Sequence, residues 1–346
     1  MAGLYPTETL VATQQKVEGI KAFWLGLYPN RINFETDIIS FEKVSINYKR
    51  LAPFVAPNNQ GKIMREQGFR KVGFKPAYVK PKHVVDPTLI IPVQAGERPG
   101  TGTKTLGQRR AAIITHLLQV HRTLHENRWE WMAAKAAIYG YVDVSGEAYP
   151  TQRVDFGRDA TLTSTNDWDA LTATPLKDIY AMRRKAKDLS LNGVTITRII
   201  FGQDAWDKFI AKEATILEKL WDKNTGGGTS DVTRLYDGFE GLEYVGSIRG
   251  SQGGGRLEFY INTQKYTDEA LLGQYLMPQN GVFGWSEGLN GFRCFGAIMD
   301  PDAGYQPMDM YPSNWREKDP AVEYLMSQGA PLMVPADANA SFLILT

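Results

Sequence analysis

The sequence predicts an α+β fold, and three observations carry that prediction. One is an apolar repeat at three-to-four spacing that runs unbroken for about 30 residues, from Gln108 to Tyr139. Another is a second half rich in short strand-like runs punctuated by glycine and proline, with two further helical patterns among them. The third is a long stretch without helical period, from Pro53 to Thr103, ahead of the long helix. A structureless excursion of that length inside a compact domain needs a job of its own.

The totals bound the answer. The chain has 346 residues, 43% of them hydrophobic and 22% charged, with a formal net charge of +1. That is globular composition with ample chain for a core. No overall field marks a bulk nucleic-acid binder. Cys294 is the single cysteine, so no intrachain disulfide and no multi-thiolate metal site can form, in keeping with a reducing compartment. The first residues carry no basic segment followed by an apolar run, so no secretory signal is expected. No window approaches ~18 apolar residues, so no membrane span is expected.

Taken in order, Thr7 and Glu8 can cap a short helix carrying Leu10, Val11, Gln14 and Val17 towards one side, ended by Gly19. Phe23, Trp24, Leu25 and Tyr28 follow as an apolar cluster beside a helix too short to bury it. Two readings stand: a local core, or an arm whose aromatics are buried on a neighbouring subunit. Thr36–Val44 and Ser45–Tyr48 read as strands. Lys62 to Val84 alternates loosely, as in a two-stranded ribbon, with Lys62, Arg65, Arg70, Lys71, Lys75, Lys80 and Lys82 interspersed. Such charge keeps an isolated ribbon soluble, and it also suits docking on an acidic partner. Gly96 to Gly102 reads as a flexible hinge.

Past the long helix, Ala137–Val144 and Ala148–Phe156 flank Ser145-Gly146 as a hairpin, and Asp159–Asp167 reads as a polar linker. Thr174-Pro175 opens a helix through Leu189, stopped at Asn192-Gly193. Val194–Phe201 reads as a buried strand and Gln203–Trp221 as an amphipathic helix. Strands are expected at Leu242–Ile248, Leu257–Asn262, Phe292–Met299 and Ser341–Leu345, with a helical turn over Asp319–Met326.

Chemistry-bearing groups are few. His121 and His125 are four apart on the long helix, a spacing that suits one metal, but Arg122 stands where a zinc-protease helix needs glutamate. Cys294 reads as a small buried hydrophobe. Glycine runs at 226–228 and 253–255 lack the ending of a phosphate loop, and Asp300, Asp302 and Asp309 miss the calcium-loop spacing. No catalytic, cofactor or metal residue is assigned. The competing class is a hydrolase or a glycan-binding module with an unrecognised site.

A resemblance narrows this. Tyr78-Val79-Lys80-Pro81-Lys82-His83 with Asp86-Pro87 resembles a segment of the phage capsid E family of lambda-type major capsid proteins. Val154 to Arg158, Phe295 to Ala303, Tyr311 to Trp315, Asp319 to Ala321 and Ser327 to Met333 with Ala336-Asp337 are similar to that family in the same order. The resemblance implies an HK97-like capsid fold. Its parts would be an N-terminal arm (1–50), an extended E-loop (51–104), a peripheral domain with spine helix and hairpin (105–167), an axial domain (168–307) and a returning C-terminal segment (308–346).

It further implies self-assembly as pentamers and hexamers into an icosahedral virion shell that encloses double-stranded DNA and expands on maturation. Assembly would take place in the host cytoplasm with a scaffold and a portal, and a decoration protein would sit at threefold sites. The packaged DNA would be contacted non-specifically, with no cofactor and no membrane. Under this resemblance the E-loop contacts to a neighbour are Lys62, Arg65, Arg70, Tyr78, Lys80, Lys82 and His83. The arm contacts are Phe23, Trp24, Leu25 and Tyr28, and the hinges are Gly100 and Gly102.

Overall fold

The computed structural model describes residues 22–43, 70–85, 105–147, 149–191, 193–213, 241–249, 256–268, 272–319 and 322–346. In chain order these form α1 (Phe23–Gly26), β1 (Asn30–Asn33), β2 (Ile39–Lys43), β3 (Arg70–Phe74), β4 (Lys82–Val85), α2 (Leu106–Tyr139), β5 (Tyr141–Gly146), β6 (Tyr149–Asp155), β7 (Thr163–Thr165), α3 (Pro175–Leu189), β8 (Arg198–Phe201) and α4 (Gln203–Lys212). Strands and short 3-10 turns make up the rest. They are β9 (Leu242–Arg249), β10 (Arg256–Asn262), β11 (Lys265–Thr267), β12 (Gly273–Tyr275), β13 (Gly281–Trp285), β14 (Phe292–Phe295), β15 (Tyr311–Glu317), β16 (Val322–Gln328), β17 (Pro331–Val334) and β18 (Ser341–Leu345). The helix expected near Thr7, both glycine runs, and Lys62, Arg65, Gly100 and Gly102 lie outside the described residues; of Arg70 only the backbone is described.

The long helix starts at Leu106, not Gln108, because a capping box sets its start. The Gln108 N–H donates to the Thr105 hydroxyl, and the Gln108 side-chain oxygen accepts the Thr105 N–H at 2.9 Å. Gly107 sits in the first turn, where glycine costs little. At the other end Gly140 adopts φ 74° and its N–H returns to the Ala136 carbonyl. A Cβ there would be strained in backbone and would meet the Arg158 side chain at 2.5 Å. The Arg158 guanidinium donates to the Ala137, Ile138 and Leu162 carbonyls, tying the helix end to the hairpin's exit.

A six-stranded mixed sheet, in the order β7-β18-β13-β8-β10-β9, divides the core in two. The period of two along each strand sorts the side chains. Ile199, Phe201, Phe259, Val282, Phe342 and Ile344 face α3 and α4 and pack with Trp168, Met182, Trp206 and Phe209. Ile200, Tyr260, Phe283, Trp285 and Leu343 face the other way, onto α1 and the second half of α2. With both faces covered, the inner strands β18, β13 and β8 are almost continuously apolar.

The smaller sheets are β1-β14-β17, β15-β16-β4 and the pairs β2-β3, β5-β6 and β11-β12. Several expectations are corrected. Asp319–Met326 is not a helical turn; its described residues from Val322 on are strand, with alternating burial at Glu323, Leu325 and Ser327. The linker over Asp159–Asp167 contains β7, whose polar residues run parallel to β18 at the sheet edge. Regular strand begins at Arg198 rather than Val194, and β14 ends at Phe295 before the Asp300 turn. The helix after Gln203 stops at Lys212, where Glu213 leaves helical geometry. Six strands, β1, β11, β12, β13, β15 and β17, were not expected at all.

Candidate functional site: the docked arm and the returning limb

The arm aromatics are buried within this chain. Trp24 and Tyr28 have no exposed surface, and Phe23 and Leu25 are buried beside them. Within this chain the four side chains take the local-core position. Trp24 packs on Phe23 and Phe283 at ring separations of 5.2 and 5.5 Å, and Phe23 meets Trp285 edge-on.

A single helical turn does not stabilise itself, and α1 is held at both ends by distant charges. The Glu130 carboxylate accepts the Trp24 N–H at 2.9 Å and the Leu25 N–H at 2.7 Å. The Arg293 guanidinium donates to the Leu25 carbonyl at 2.8 Å and the Tyr28 carbonyl at 2.6 Å. Anion at the start and cation at the end match the helix dipole. Burial raises the pKa of Glu130, opposed by the two N–H donors and by Arg293, and burial lowers that of Arg293. The Tyr28 hydroxyl donates to the Ala133 carbonyl, its pKa raised by burial. Gly291 lies flat against the Tyr28 ring, where any Cβ would overlap it. The chain then enters β1, parallel to β14, with Arg31 over the Phe295 ring and 3.5 Å from Asp309.

The ribbon has its base in the body. β2 and β3 pair antiparallel from Ile39↔Phe74 to Lys43↔Arg70, so residues 44–69 connect two adjacent strand ends. Beyond β3 the chain is stitched down. The Tyr78 hydroxyl donates to the Ala297 carbonyl at 2.9 Å and accepts the Met299 N–H. Val79 and Gly329 exchange both backbone bonds. β4 then adds to the edge of β16, with His83 opposite Leu325.

Tyr78, Lys82 and His83 thus each make contacts inside the chain. The Lys82 ammonium sits 3.7 Å from the Tyr324 ring centre and 4.9 Å from that of Trp315. Lys80 is exposed, lying over the Tyr78 ring. His83 Nδ1 and His121 Nε2 are 2.7 Å apart, within hydrogen-bond distance. The physical reason β4 docks here is the edge of β16, whose backbone groups need a partner.

Beneath this limb runs a polar seam on α2. The Arg110 guanidinium meets Glu323 with bonds of 3.0 and 2.5 Å, both groups buried. His125 Nε2 pairs with the Ser327 hydroxyl at 3.1 Å. Burial, then His83, pushes the His121 pKa down to about 4. Burial, then His121 and Arg122, does the same to His125. The two imidazoles at metal-like spacing thus take separate partners. Cys294 is buried on β14 with its thiol pKa pushed up to about 12, which keeps it protonated.

Sequence reasoning missed Glu130, Arg293, Arg110 and Glu323. Charges on an otherwise apolar helical face were the available signal for Glu130 and Arg110; Arg293 and Glu323 left none.

The model of the family Phage major capsid protein E matches residues 9–344. The major capsid protein of Escherichia phage N15 is 28% identical over 345 residues, covering 97% of each chain. That of Escherichia phage lambda is 28% identical over 348 residues, again covering 97% of each. A solved prophage capsid protein structure from Escherichia coli CFT073 is similar in fold, with a TM-score of 0.74, 23% identity and 99% of each chain covered.

Proposed function

The chain belongs to the Phage major capsid protein E family, and we propose on that premise that it is the major capsid protein of a tailed phage, with copies building the virion shell. The observation that carries this reading is collinearity: the family match and the HK97-like α+β fold both span the chain end to end. The hydrolase and glycan-binding alternatives find no support in the family. The groups with most chemical promise, Cys294, His121 and His125, are buried in structural roles.

In the finer reading, copies meet as pentamers and hexamers. The segment between β2 and β3 reaches a neighbouring copy, carrying Lys62 and Arg65, while Arg70–Phe74 and Lys82–Val85 anchor it at home. This shortens the expected E-loop (51–104) and keeps its purpose. Residues 86–104, with Gly100 and Gly102, supply the hinge for expansion as double-stranded DNA enters. A scaffold, a portal and a decoration protein are the further partners, and assembly takes place inside the host cell.

The test replaces residues 44–69 by Asn-Gly, a two-residue turn that closes an antiparallel pair. The variant should stay folded by circular dichroism and give no closed shells by electron microscopy, whereas wild type gives them. Intact shells from the variant would remove the ribbon from assembly; discrete monomers from wild type would sink the shell reading itself.

A further inference from the structure

The turn between β14 and β15 is fastened from several sides. The Asp300 carboxylate accepts the Asp302 N–H at 2.9 Å and the Gln328 side-chain N–H at 2.8 Å. The Ala303 and Gly304 N–H groups return to the Asp300 and Pro301 carbonyls, and the Ile298 N–H closes the neck on the Gln306 carbonyl. The Tyr78 hydroxyl accepts the Met299 N–H. Beneath the turn Ile298, Ala303 and Tyr311 are buried, with Tyr78 and Met308 packed against them.

This frame holds one residue against its backbone preference. Tyr305, at φ 57°, is the only residue other than glycine in the left-handed region among the described residues, and it follows Gly304 at φ 61°. A bulky side chain at that angle costs free energy. Burial does not offset the cost, because Tyr305 is 55% exposed. Met299, on the other side of the neck, is 58% exposed. Asp302 is exposed between them, and residues 298–306 contain no cation. Lys80, the cation beside them, is drawn over the Tyr78 ring. The result is a rigid knob that presents a tyrosine, a methionine and a carboxylate, and tyrosine and methionine are enriched where proteins meet.

We propose that this knob, formed by Met299, Asp302 and Tyr305, is the landing site for the ribbon (residues 44–69) of a second copy of the chain. The proposal rests on the shell reading and names where one copy meets the next. The ribbon holds four cations, Lys49, Arg50, Lys62 and Arg65, against one acid, Glu66, with Phe54, Ile63 and Met64 among them. A basic, partly apolar segment complements an apolar knob that bears a carboxylate. Both ends of the ribbon join the body at the paired strands β2 and β3, so each limb of about 13 residues reaches roughly 40 Å at ~3.3 Å per residue. Within one chain the ribbon starts beside the knob, where the Ala297 N–H meets the Thr36 carbonyl. An extended ribbon therefore carries its tip away from its own knob and towards that of the next copy.

The test follows shell formation by light scattering and electron microscopy against subunit concentration, with thermal melts of unassembled subunits alongside. Tyr305→Gly relieves the backbone and should melt no lower than wild type. The concentration needed for half-maximal assembly should nevertheless rise by about tenfold or more. Unchanged assembly in this variant overturns the proposal. Asp302→Lys should raise that concentration too, and adding Lys62→Glu with Arg65→Glu in the same chain should recover part of the loss. No recovery overturns the ribbon as the partner. Carbodiimide, which joins a carboxylate to an ammonium, should couple Asp302 to Lys49 or Lys62 in wild-type shells grown from equal amounts of heavy- and light-nitrogen subunits. Cross-links that mix the two isotopes support a contact between copies. Coupling confined to single-isotope chains, or none, overturns it. Failure of wild type to form shells removes the shell reading and this contact with it, whereas shells indifferent to Tyr305→Gly remove the contact alone.

Discussion

Acid should loosen the seam between α2 and the β15-β16-β4 sheet, and His125 allows the size to be worked out. Its ring is fully buried, with Nε2 on the Ser327 hydroxyl and Nδ1 without a partner. The folded pKa is pushed from 6.5 down to about 4, by burial first and then by His121 and Arg122. A folded pKa below the unfolded one means the unfolded chain binds more protons in the interval between them. Stability is therefore fully present above about pH 6.5 and is lost as pH falls towards about 4. A separation of 2.5 units corresponds to about 3 kcal/mol, of which about 2.5 kcal/mol is gone by pH 4.5. His121 is shifted in the same direction and adds to the loss. The assay is urea unfolding of unassembled subunits from pH 7.5 to 4.5, for wild type and His125→Gln. Carboxylates titrate in both proteins, so the difference between the two curves isolates the imidazole. That difference should narrow by about 2 kcal/mol or more on acidification. A difference flat to within about 0.5 kcal/mol would refute the reasoning, since it would mean the buried ring carries no protonation penalty.

Other outcomes follow from the same geometry. Glu130→Ala or Arg293→Met should each cost about 2–5 kcal/mol, by leaving buried backbone groups of α1 unpaired. The double variant should cost clearly less than the sum, since both act through one turn; strict additivity in a urea double-mutant cycle would deny a shared clamp. Gly291→Ala should destabilise by about 1–3 kcal/mol through overlap with Tyr28, and Tyr28→Leu in the same chain should restore part of it; no rescue would place the strain elsewhere. Lys82→Met should cost about 0.5–1 kcal/mol by removing a cation from Trp315 and Tyr324, seen as faster amide exchange in β4; unchanged exchange would mean the rings do not hold the strand.

Much of the local structure was legible in advance. Thr174-Pro175 and Leu189 bound a helix in the sequence and in the fold, and the hairpin after Gly140 closes near the expected Ser-Gly turn. The failures share a cause. Gly281-Val282-Phe283-Gly284-Trp285 has two glycines in five residues and drew no strand expectation, yet it is buried in the middle of the main sheet. Gly284 is needed there because the Phe342 ring lies against it. Asp319–Met326 reads as a helical turn until β15 and β4 flank β16 on either side. The seam on α2 escaped notice because Arg110, His121, His125 and Glu130 look like a solvated face until their partners arrive from β4, β16 and α1.

The chain alone decided its class, the length and caps of its long helix, the hairpins and its family, because those signals act between residues a few positions apart or accumulate along the whole string. Tertiary structure decided where the arm and the returning limb lie. A one-turn helix and a four-residue edge strand have no stable position of their own. Each takes its place from charges and open backbone groups that are remote in sequence: Glu130 and Arg293 for the arm, the edge of β16 and His121 for the limb.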